Sequence, residues 1–416
     1  MKIVVMGAGV VGVTSAWYLA KAGHEVTVVE RHPGAAEETS FANAGLVAPG
    51  HAYTWASPRA PKILLKSLWR DDQAFRMRKF LDPDLWRWGM KFLANCPIGR
   101  VRVNTARKVR LCLYSQKALH EVASESGVAY DGVTGGLLYL YREQAALDAA
   151  AVNMRVLTDN GLELRVLDRA QTVAADPALA SASGRIAGAI FAPSDESGDA
   201  NLFTVRLAEA CAARQVRFLY GTTIRAIEDE DGRVARVVTD QGDLTADLYV
   251  LALGCQSAGV GRTLGLDIPV YPVNGYSVTL PIETGHKPPT IGGVDESNLV
   301  AYARFGDRLR LTATAEFAGY DRSHKPEDYR TMLAVARELF PNAGDWERPR
   351  YWAGLRPMTP EGTPIIGRSR IANLYLNTGH GHMGWTMASG SARLLAQLID
   401  GRAPDIDMTG LGAEAV

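Results

Sequence analysis

The sequence predicts an α/β protein in which a Rossmann-like nucleotide-binding domain is interleaved with a second domain built on a mixed or antiparallel sheet plus helices. Three observations carry that expectation. A strand–glycine turn–helix–strand unit opens the chain, a buried strand at Leu248–Leu253 ends in Gly254, and a glycine-rich loop feeds a helical pattern over Met387–Ile399. The 416 residues suggest two or three domains, at roughly 100–200 residues each. The 45 Lys+Arg cancel the 45 Asp+Glu. A chain without net charge has no bulk attraction for nucleic acid, and no nucleic-acid partner is expected. Apolar residues make up 47 %, the composition of a folded protein rather than a disordered one. No run of about 18 apolar residues exists to span a membrane. The first residues have the look of a leader peptide, but glycines break the apolar run and no cleavage site follows, so they read as a strand of the mature fold. Cys96, Cys112, Cys211 and Cys255 lie far apart without CxxC spacing. That argues against a thiolate metal cluster, and for a reducing, cytoplasmic compartment.

Taken in order, Lys2–Met6 is a Val- and Ile-rich strand that ends in Gly7-Ala8-Gly9-Val10-Val11-Gly12. A helix follows to Ala22 and closes at Gly23, and a second strand, Glu25–Val29, ends at Glu30. Here the G-x-G-x-x-G pattern stands in its required context. Gly7 permits the tight turn, Gly9 lets a pyrophosphate approach the backbone at the positive helix end, and Gly12 lets the helix lie close on the strands. Glu30, followed by Arg31, offers a carboxylate to a ribose hydroxyl and repels a 2′-phosphate.

The next segment separates FAD from NAD. Instead of a further regular β–α unit, the chain enters a small, polar loop, Glu38-Thr39-Ser40-Phe41-Ala42-Asn43-Ala44-Gly45. Ser40, Asn43, Ala44 and Gly45 suit phosphates and a flavin ring. Gly254 returns a strand to the nucleotide, and Asn377-Thr378-Gly379-His380-Gly381-His382-Met383-Gly384-Trp385-Thr386 presents a loop and a helix N-terminus to an anion. Gly379, His380, Gly381, Gly384, Trp385 and Thr386 are the cofactor candidates of this loop. One cofactor touched by three distant stretches fits FAD, which is long and buried. His380 and His382 are read as shaping that loop, and no metal site is expected.

Longer motifs carry a resemblance. The chain resembles the FAD-dependent D-amino-acid oxidase superfamily, and within it is most similar to the small, catalytic subunit of bacterial D-amino-acid dehydrogenases. The similarity rests on Val4–Val13, Glu38–Ser40 with Asn43–Gly45, Asp195-Glu196-Ser197-Gly198-Asp199, Tyr271–Ser277, Trp352-Ala353-Gly354-Leu355-Arg356-Pro357-Met358-Thr359-Pro360 and Asn377–Gly381. It covers nearly the whole length. The chain departs from that subunit at Asn274, where Lys is usual, and at His51, where aromatic residues are common.

The resemblance implies oxidation of a D-amino acid at Cα by hydride transfer to FAD N5, giving a 2-oxo acid and ammonia, with electrons passed to a quinone or other acceptor. D-hydroxyproline, glycine and sarcosine are alternative substrates within the superfamily. A nicotinamide-dependent reductase and a non-catalytic nucleotide-binding subunit are the readings outside it. The substrate carboxylate calls for a guanidinium fork, and Arg356 matches the family's clamp. Arg304 is a second candidate. Tyr271 and Tyr276 flank a turn expected to face the flavin, to bind the carboxylate, close the pocket or pack in the core. His51 and Tyr53 sit in a Gly-bounded loop that fits a lid.

The expected cofactor domain comprises residues 1–85, 185–262 and 345–416, and the substrate domain 86–184 and 263–344. Asp82 with Pro83 reads as a helix start, opening a helical region to Ser126 whose first stripe is Leu85, Trp88 and Phe92. Residues 267–281 and 299–315 read as strands. Between Arg59 and Arg110 stand fourteen Lys/Arg against four Asp, interleaved with Leu64, Leu65, Leu68, Trp69 and Phe75. That pattern fits either an ordinary solvated face or a peripheral contact with the inner face of the cell membrane.

Overall fold

The computed structural model describes residues 1–62 and 75–413. Two large sheets organise the chain. The first has six strands in the order Arg217–Leu219, Glu25–Val29, Lys2–Met6, Leu248–Leu251, Leu374–Thr378, Ile365–Arg368. Its first four pairings are parallel and the last is antiparallel. Strands such as Lys2–Met6 read as continuous apolar runs because a parallel sheet is covered on both faces. Helices Val10–Lys21, Ile98–Ser126, Ala200–Ala213 and Gly384–Ile399 pack on one face around Trp17, Phe203 and Trp385. A three-stranded antiparallel sheet over residues 224–244 joins the core on the other face.

The second sheet has nine strands. Along it run Arg350–Met358, Tyr271–Pro281, Arg308–Phe317, Val300–Phe305, Gly292–Asp295, Leu137–Tyr141, Gly188–Ala192 and Arg165–Asp168, with Phe75–Met77 paired to Arg308–Phe317. Most pairings are antiparallel, and the 292–295/137–141 and 308–317/75–77 pairings are parallel. Helix Arg330–Leu339 buries Met332, Ala336 and Leu339 against this sheet. The fold is thus a Rossmann-like parallel sheet interleaved with a mixed, largely antiparallel one.

Sheet membership crosses two boundaries expected from the sequence. Gly188–Ala192 and Arg350–Met358 are strands of the second sheet, although they lie beyond the expected limits at 185 and 345. Helix Ile98–Ser126, inside the expected substrate segment, packs on Gly384–Ile399 of the first body. Strand pairing and helix docking are long-range events that local composition does not record. The helical region splits at Asn95–Pro97 into Pro83–Ala94 and Ile98–Ser126. Asp82 caps the first of these, accepting from the Asp84 N–H at 3.0 Å, and Leu85, Trp88 and Phe92 form its buried face. In the basic stretch, Leu64, Leu65, Leu68 and Trp69 lie outside the described residues, while Phe75 is a strand residue.

Candidate active site

Between the two sheets lies a cavity of about 760 Å3, within the roughly 300–1,000 Å3 typical of small-molecule sites. The N-terminal glycine turn, the 38–57 segment, Ala252–Gln256, strands of the second sheet and the 377–385 loop all contribute to its wall.

The end beside the glycine turn is built mainly from backbone. Gly7 has φ +106° and lines the wall with Gly9, Glu30 and Arg31. Gly12 is set behind the wall. A Cβ there would stand 1.9 Å from the Gly7 carbonyl oxygen, so only glycine lets the helix lie this close to the turn. The Glu30 carboxylate accepts from the N–H groups of Ala8 at 2.9 Å and His32 at 3.0 Å. Each oxygen keeps a lone pair for a further donor. Arg31 pairs with Glu38 at the wall. The Ser40 hydroxyl accepts from the Val10 N–H at 3.1 Å, at the start of the first helix. Asn43 Oδ1 accepts from the Gly45 N–H at 2.9 Å, and Ala44 and Gly254 complete this wall.

From the C-terminal loop, His380, Gly381, Gly384 and Trp385 reach the cavity. Burial holds the His380 imidazole neutral, with its pKa down to about 3, and its Nε2 lies 2.8 Å from Ser391 Oγ. Gly379 and Thr386 do not line the wall. Thr386 Oγ1 instead accepts from the Ala48 N–H at 3.1 Å and donates to the Leu46 carbonyl at 3.2 Å, tying the 46–48 segment to the last helix.

Three atoms of the wall test whether a polar cofactor fits. Ser277 Oγ, Asn377 Oδ1 and Trp385 Nε1 are buried without a partner among the described residues. Buried polar atoms are ordinarily hydrogen-bonded. A heteroaromatic ligand with ring nitrogens, carbonyls and phosphates satisfies such atoms, and FAD fits.

The other end of the cavity is built from side chains. Arg356 sits on the strand Arg350–Met358 and is partly buried, facing the cavity. Its Nη1 donates to the Thr314 carbonyl at 2.7 Å and the Asn274 carbonyl at 3.4 Å. No described carboxylate pairs with it, and burial alone lowers its pKa to about 10. At physiological pH it remains charged. Gly275, on the neighbouring strand, makes the room: a Cβ there would stand 2.4 Å from the guanidinium. Thr314 has φ +68° at a bulge opposite Asn274–Tyr276, and this turns its carbonyl to Arg356.

Tyr276 lines the cavity while its hydroxyl donates to Glu316 Oε1 at 3.0 Å. Tyr271, expected beside it, lies outside the cavity, in a cluster with Trp88 and Phe317, and donates to Asp82 Oδ2 at 2.9 Å. The two tyrosines are an odd number of residues apart on one regular strand, and alternation sends them to opposite faces. Arg304 is exposed on its strand and donates to the Gly306 carbonyl at 2.9 Å, away from the wall.

His51 and Tyr53 both line the cavity. His51 Nε2 meets Glu296 Oε1 at 2.8 Å. Burial opposes charging this ring, but the Glu296 carboxylate outweighs it and raises the pKa. Behind it, the Tyr139 ring stacks on His51 at 5.1 Å, and its hydroxyl donates to Asp195 Oδ2 at 2.5 Å. Asp195 also accepts from the Gly50 N–H at 2.9 Å, and burial pushes its pKa up to about 7. Glu296, Trp55 and Trp352 complete the wall. Sequence reasoning named Trp352 only as part of the Trp352–Pro360 motif and gave Glu296 and Trp55 no role, since nothing in the neighbourhood of those two distinguishes them from core or surface residues.

Residues 2–398 match the family model described as DAO, FAD dependent oxidoreductase. A protein of Mesorhizobium japonicum named D-amino acid dehydrogenase 2 is 47 % identical over 99 % of both chains. One of Paramagnetospirillum magneticum named D-amino acid dehydrogenase is 47 % identical over 100 % of this chain and 98 % of its own. Among solved structures, the glycine oxidase of Geobacillus kaustophilus superposes with a TM-score of 0.76 at 21 % identity, covering 100 % of this chain and 98 % of that one. The glycine oxidase of Bacillus cereus gives 0.73 at 22 % identity, covering 96 % and 95 %. A strand–turn–helix unit closing a cavity with unsatisfied polar atoms, a full-length family match and these relatives agree: the chain belongs to the DAO family of FAD-dependent oxidoreductases.

Proposed function

We propose that this chain is a dehydrogenase that oxidises D-amino acids at Cα, releasing an imino acid that water hydrolyses to a 2-oxo acid and ammonia. The observation that carries the reading is Arg356, a partly desolvated guanidinium on the cavity wall with no described carboxylate beside it. Such a cation is costly unless an anion joins it, and a bidentate carboxylate matches its fork. The names and 47 % identity of the relatives support the D-amino acid as the carrier of that carboxylate.

Bound FAD supplies the hydride acceptor at N5. Gly7, Gly9, Glu30, Arg31, Ser40, Asn43, Ala44, Gly45 and Gly254 are proposed to hold it, with the His380–Trp385 loop at the flavin; Gly12, Gly379 and Thr386 act by shaping that cradle. Arg356 fixes the carboxylate, Tyr276 bounds the substrate, and His51 with Tyr53 forms the wall opposite. With the carboxylate and amine held at two points, only one enantiomer presents Cα–H to the flavin face, while its mirror image presents the side chain. The two sheets are proposed as the centres of a cofactor domain and a substrate domain.

A quinone as electron acceptor and a peripheral membrane contact belong to the same reading. Helix Pro83–Ala94 exposes Trp86, Met90 and Leu93 beside Arg87 and Lys91, and Leu81 stands 96 % exposed next to it. An apolar stripe flanked by cations suits an anionic bilayer surface. No helix among the described residues is long and apolar enough to cross a membrane.

The test is anaerobic mixing of the purified, flavin-loaded protein with matched D- and L-amino acids, glycine, sarcosine and D-hydroxyproline. Bleaching of the flavin bands by D-alanine at least a hundredfold faster than by L-alanine is expected. Bleaching only by glycine derivatives, or equally by both enantiomers, contradicts the reading.

A further inference from the structure

Lys108 is among the largest side chains with no solvent exposure in the molecule. It projects from helix Ile98–Ser126 and has two polar contacts: its Nζ donates to the Tyr53 carbonyl at 2.9 Å and lies 3.3 Å from His382 Nε2. His382 lines the cavity, and its ring stacks on Trp55 at 5.0 Å. Neither residue is part of the Arg356 clamp; Lys108 lies behind the cavity wall, and His382 belongs to the loop placed at the flavin.

The chemistry of this contact is one-sided. An ammonium has three donors and no lone pair. It approaches a ring nitrogen only if that nitrogen is the unprotonated one. Nε2 of His382 is therefore the acceptor, and the ring proton resides on Nδ1. Protonating the ring as well would set two cations in contact away from water, so His382 stays neutral. Burial and the charges of Lys108, His51 and Arg356 all push its pKa well below the usual range. Nδ1 has no partner among the described residues, on a ring that borders the cavity and feels Arg356.

We propose that Lys108 is a positioning residue that locks His382 into its neutral Nδ1–H form, so that His382 supplies the substrate carboxylate with a second donor beside Arg356. The assignment of a carboxylate substrate rests on the function proposed above; the tautomer lock does not. The lock also explains why a lysine is tolerated at full burial. Its charge faces a carbonyl and an imidazole lone pair rather than apolar walls, and burial lowers its pKa only to about 8.

The groups bearing on this pair are Cys112 on the same helix, His51 on the 49–51 turn and Arg356 on the second sheet. Glu296 is bound to His51, and Asp195 acts on His51 and Cys112. Below about pH 8 the lysine is charged and the lock holds. Above it, the neutral amine also accepts, the Nε2–H form becomes available, and the donor weakens.

The direct test needs no change to the chain. Long-range proton–nitrogen spectra of the flavin-loaded protein at pH 7, with His382 identified by its loss in His382→Asn, are expected to show a protonated Nδ1 and a bare Nε2. A protonated Nε2 overturns the proposal. The kinetic test is Lys108→Met. KM for D-alanine is expected to rise about tenfold with kcat within threefold, the effect of one donor lost to a charged group. The rise of wild-type KM through about pH 8 is expected to vanish in the variant. An unchanged KM with the same inflection overturns the role toward substrate. If D-alanine does not reduce the flavin of the unaltered protein, the substrate reading fails, while the nitrogen spectra still decide the lock.

Discussion

The two ends of the cavity are made of different material. The nucleotide end is a backbone device: Gly7, Gly9 and Gly12 shape one turn, and the Glu30 and Ser40 side chains are already bound to backbone N–H groups. The substrate end is a side-chain device assembled across strands, with Arg356, Tyr276, His51 and Glu296 drawn from four separate segments. The first is set by close backbone approaches, with no room for a Cβ at Gly7 or Gly12. The second holds the Arg356 guanidinium, which has carbonyl partners but no described carboxylate, and the His51–Glu296 pair. Rigidity at one end and unsatisfied charge at the other are what an enzyme needs that keeps one ligand and exchanges another.

Substitutions that add a single carbon test this contrast most severely. Gly12→Ala forces a Cβ to within 1.9 Å of the Gly7 carbonyl, and overpacking against backbone costs about 3 kcal/mol or more. The protein is expected to purify without FAD or to fail to fold, as read by flavin absorbance and circular dichroism. Gly275→Ala adds the same carbon at the other end, 2.4 Å from the Arg356 guanidinium. A displaced side chain costs roughly 1–3 kcal/mol. The expected loss is about ten- to a hundredfold in kcat/KM, with flavin content unchanged. Loss of FAD in Gly275→Ala would erase the distinction between the two ends.

A pH experiment sharpens it. The Asp195 pKa is raised by burial from 3.8 to about 7 in the folded protein. Its protonated form therefore contributes stability that is full below about pH 4 and lost as pH rises through about 7. Asp195→Asn removes that dependence while keeping an acceptor for the Gly50 N–H. Between pH 5 and 8 the melting temperature of the unaltered protein is expected to fall relative to the variant. Parallel curves would show that Asp195 is ionised in the fold. The smallest effect is expected from Ser40→Ala, which removes the acceptor for the Val10 N–H. A lost hydrogen bond of this kind costs about 1 kcal/mol, seen as a roughly fivefold weaker FAD affinity with KM for D-alanine unchanged.

The same contrast decides what could be read before folding. The glycine pattern is contiguous in sequence, as is the Ser40–Gly45 loop, so both stood out; of their named candidates all but Gly12 line the cavity. Arg356 was legible only through the longer Trp352–Pro360 motif, since an Arg before Pro has no local signature of a clamp. For Tyr271 and Tyr276 the sequence left pocket and core roles open; five residues apart on one strand, they face opposite sides, Tyr276 the cavity and Tyr271 the core. Glu296 and Lys108 carried no signal. A glutamate near a turn and a lysine on a helix acquire their roles only when the second sheet and the long helix close on the cavity. Domain limits were blurred for the same reason, as Gly188–Ala192 and Arg350–Met358 join a sheet whose other strands lie far away in sequence.

The Arg356 guanidinium is the centre of the reading, and it is tested most directly by anaerobic reduction of the flavin by D-alanine in Arg356→Ala, matched in FAD content to the unaltered protein. Truncating one partner of a buried charge pair costs roughly 2–5 kcal/mol. The expected result is a Kd for D-alanine raised on the order of 30- to 4,000-fold, with Arg356→Lys in between and the flavin spectrum of both variants intact. A yellow, folded Arg356→Ala protein that binds and oxidises D-alanine within threefold of the unaltered one would contradict it.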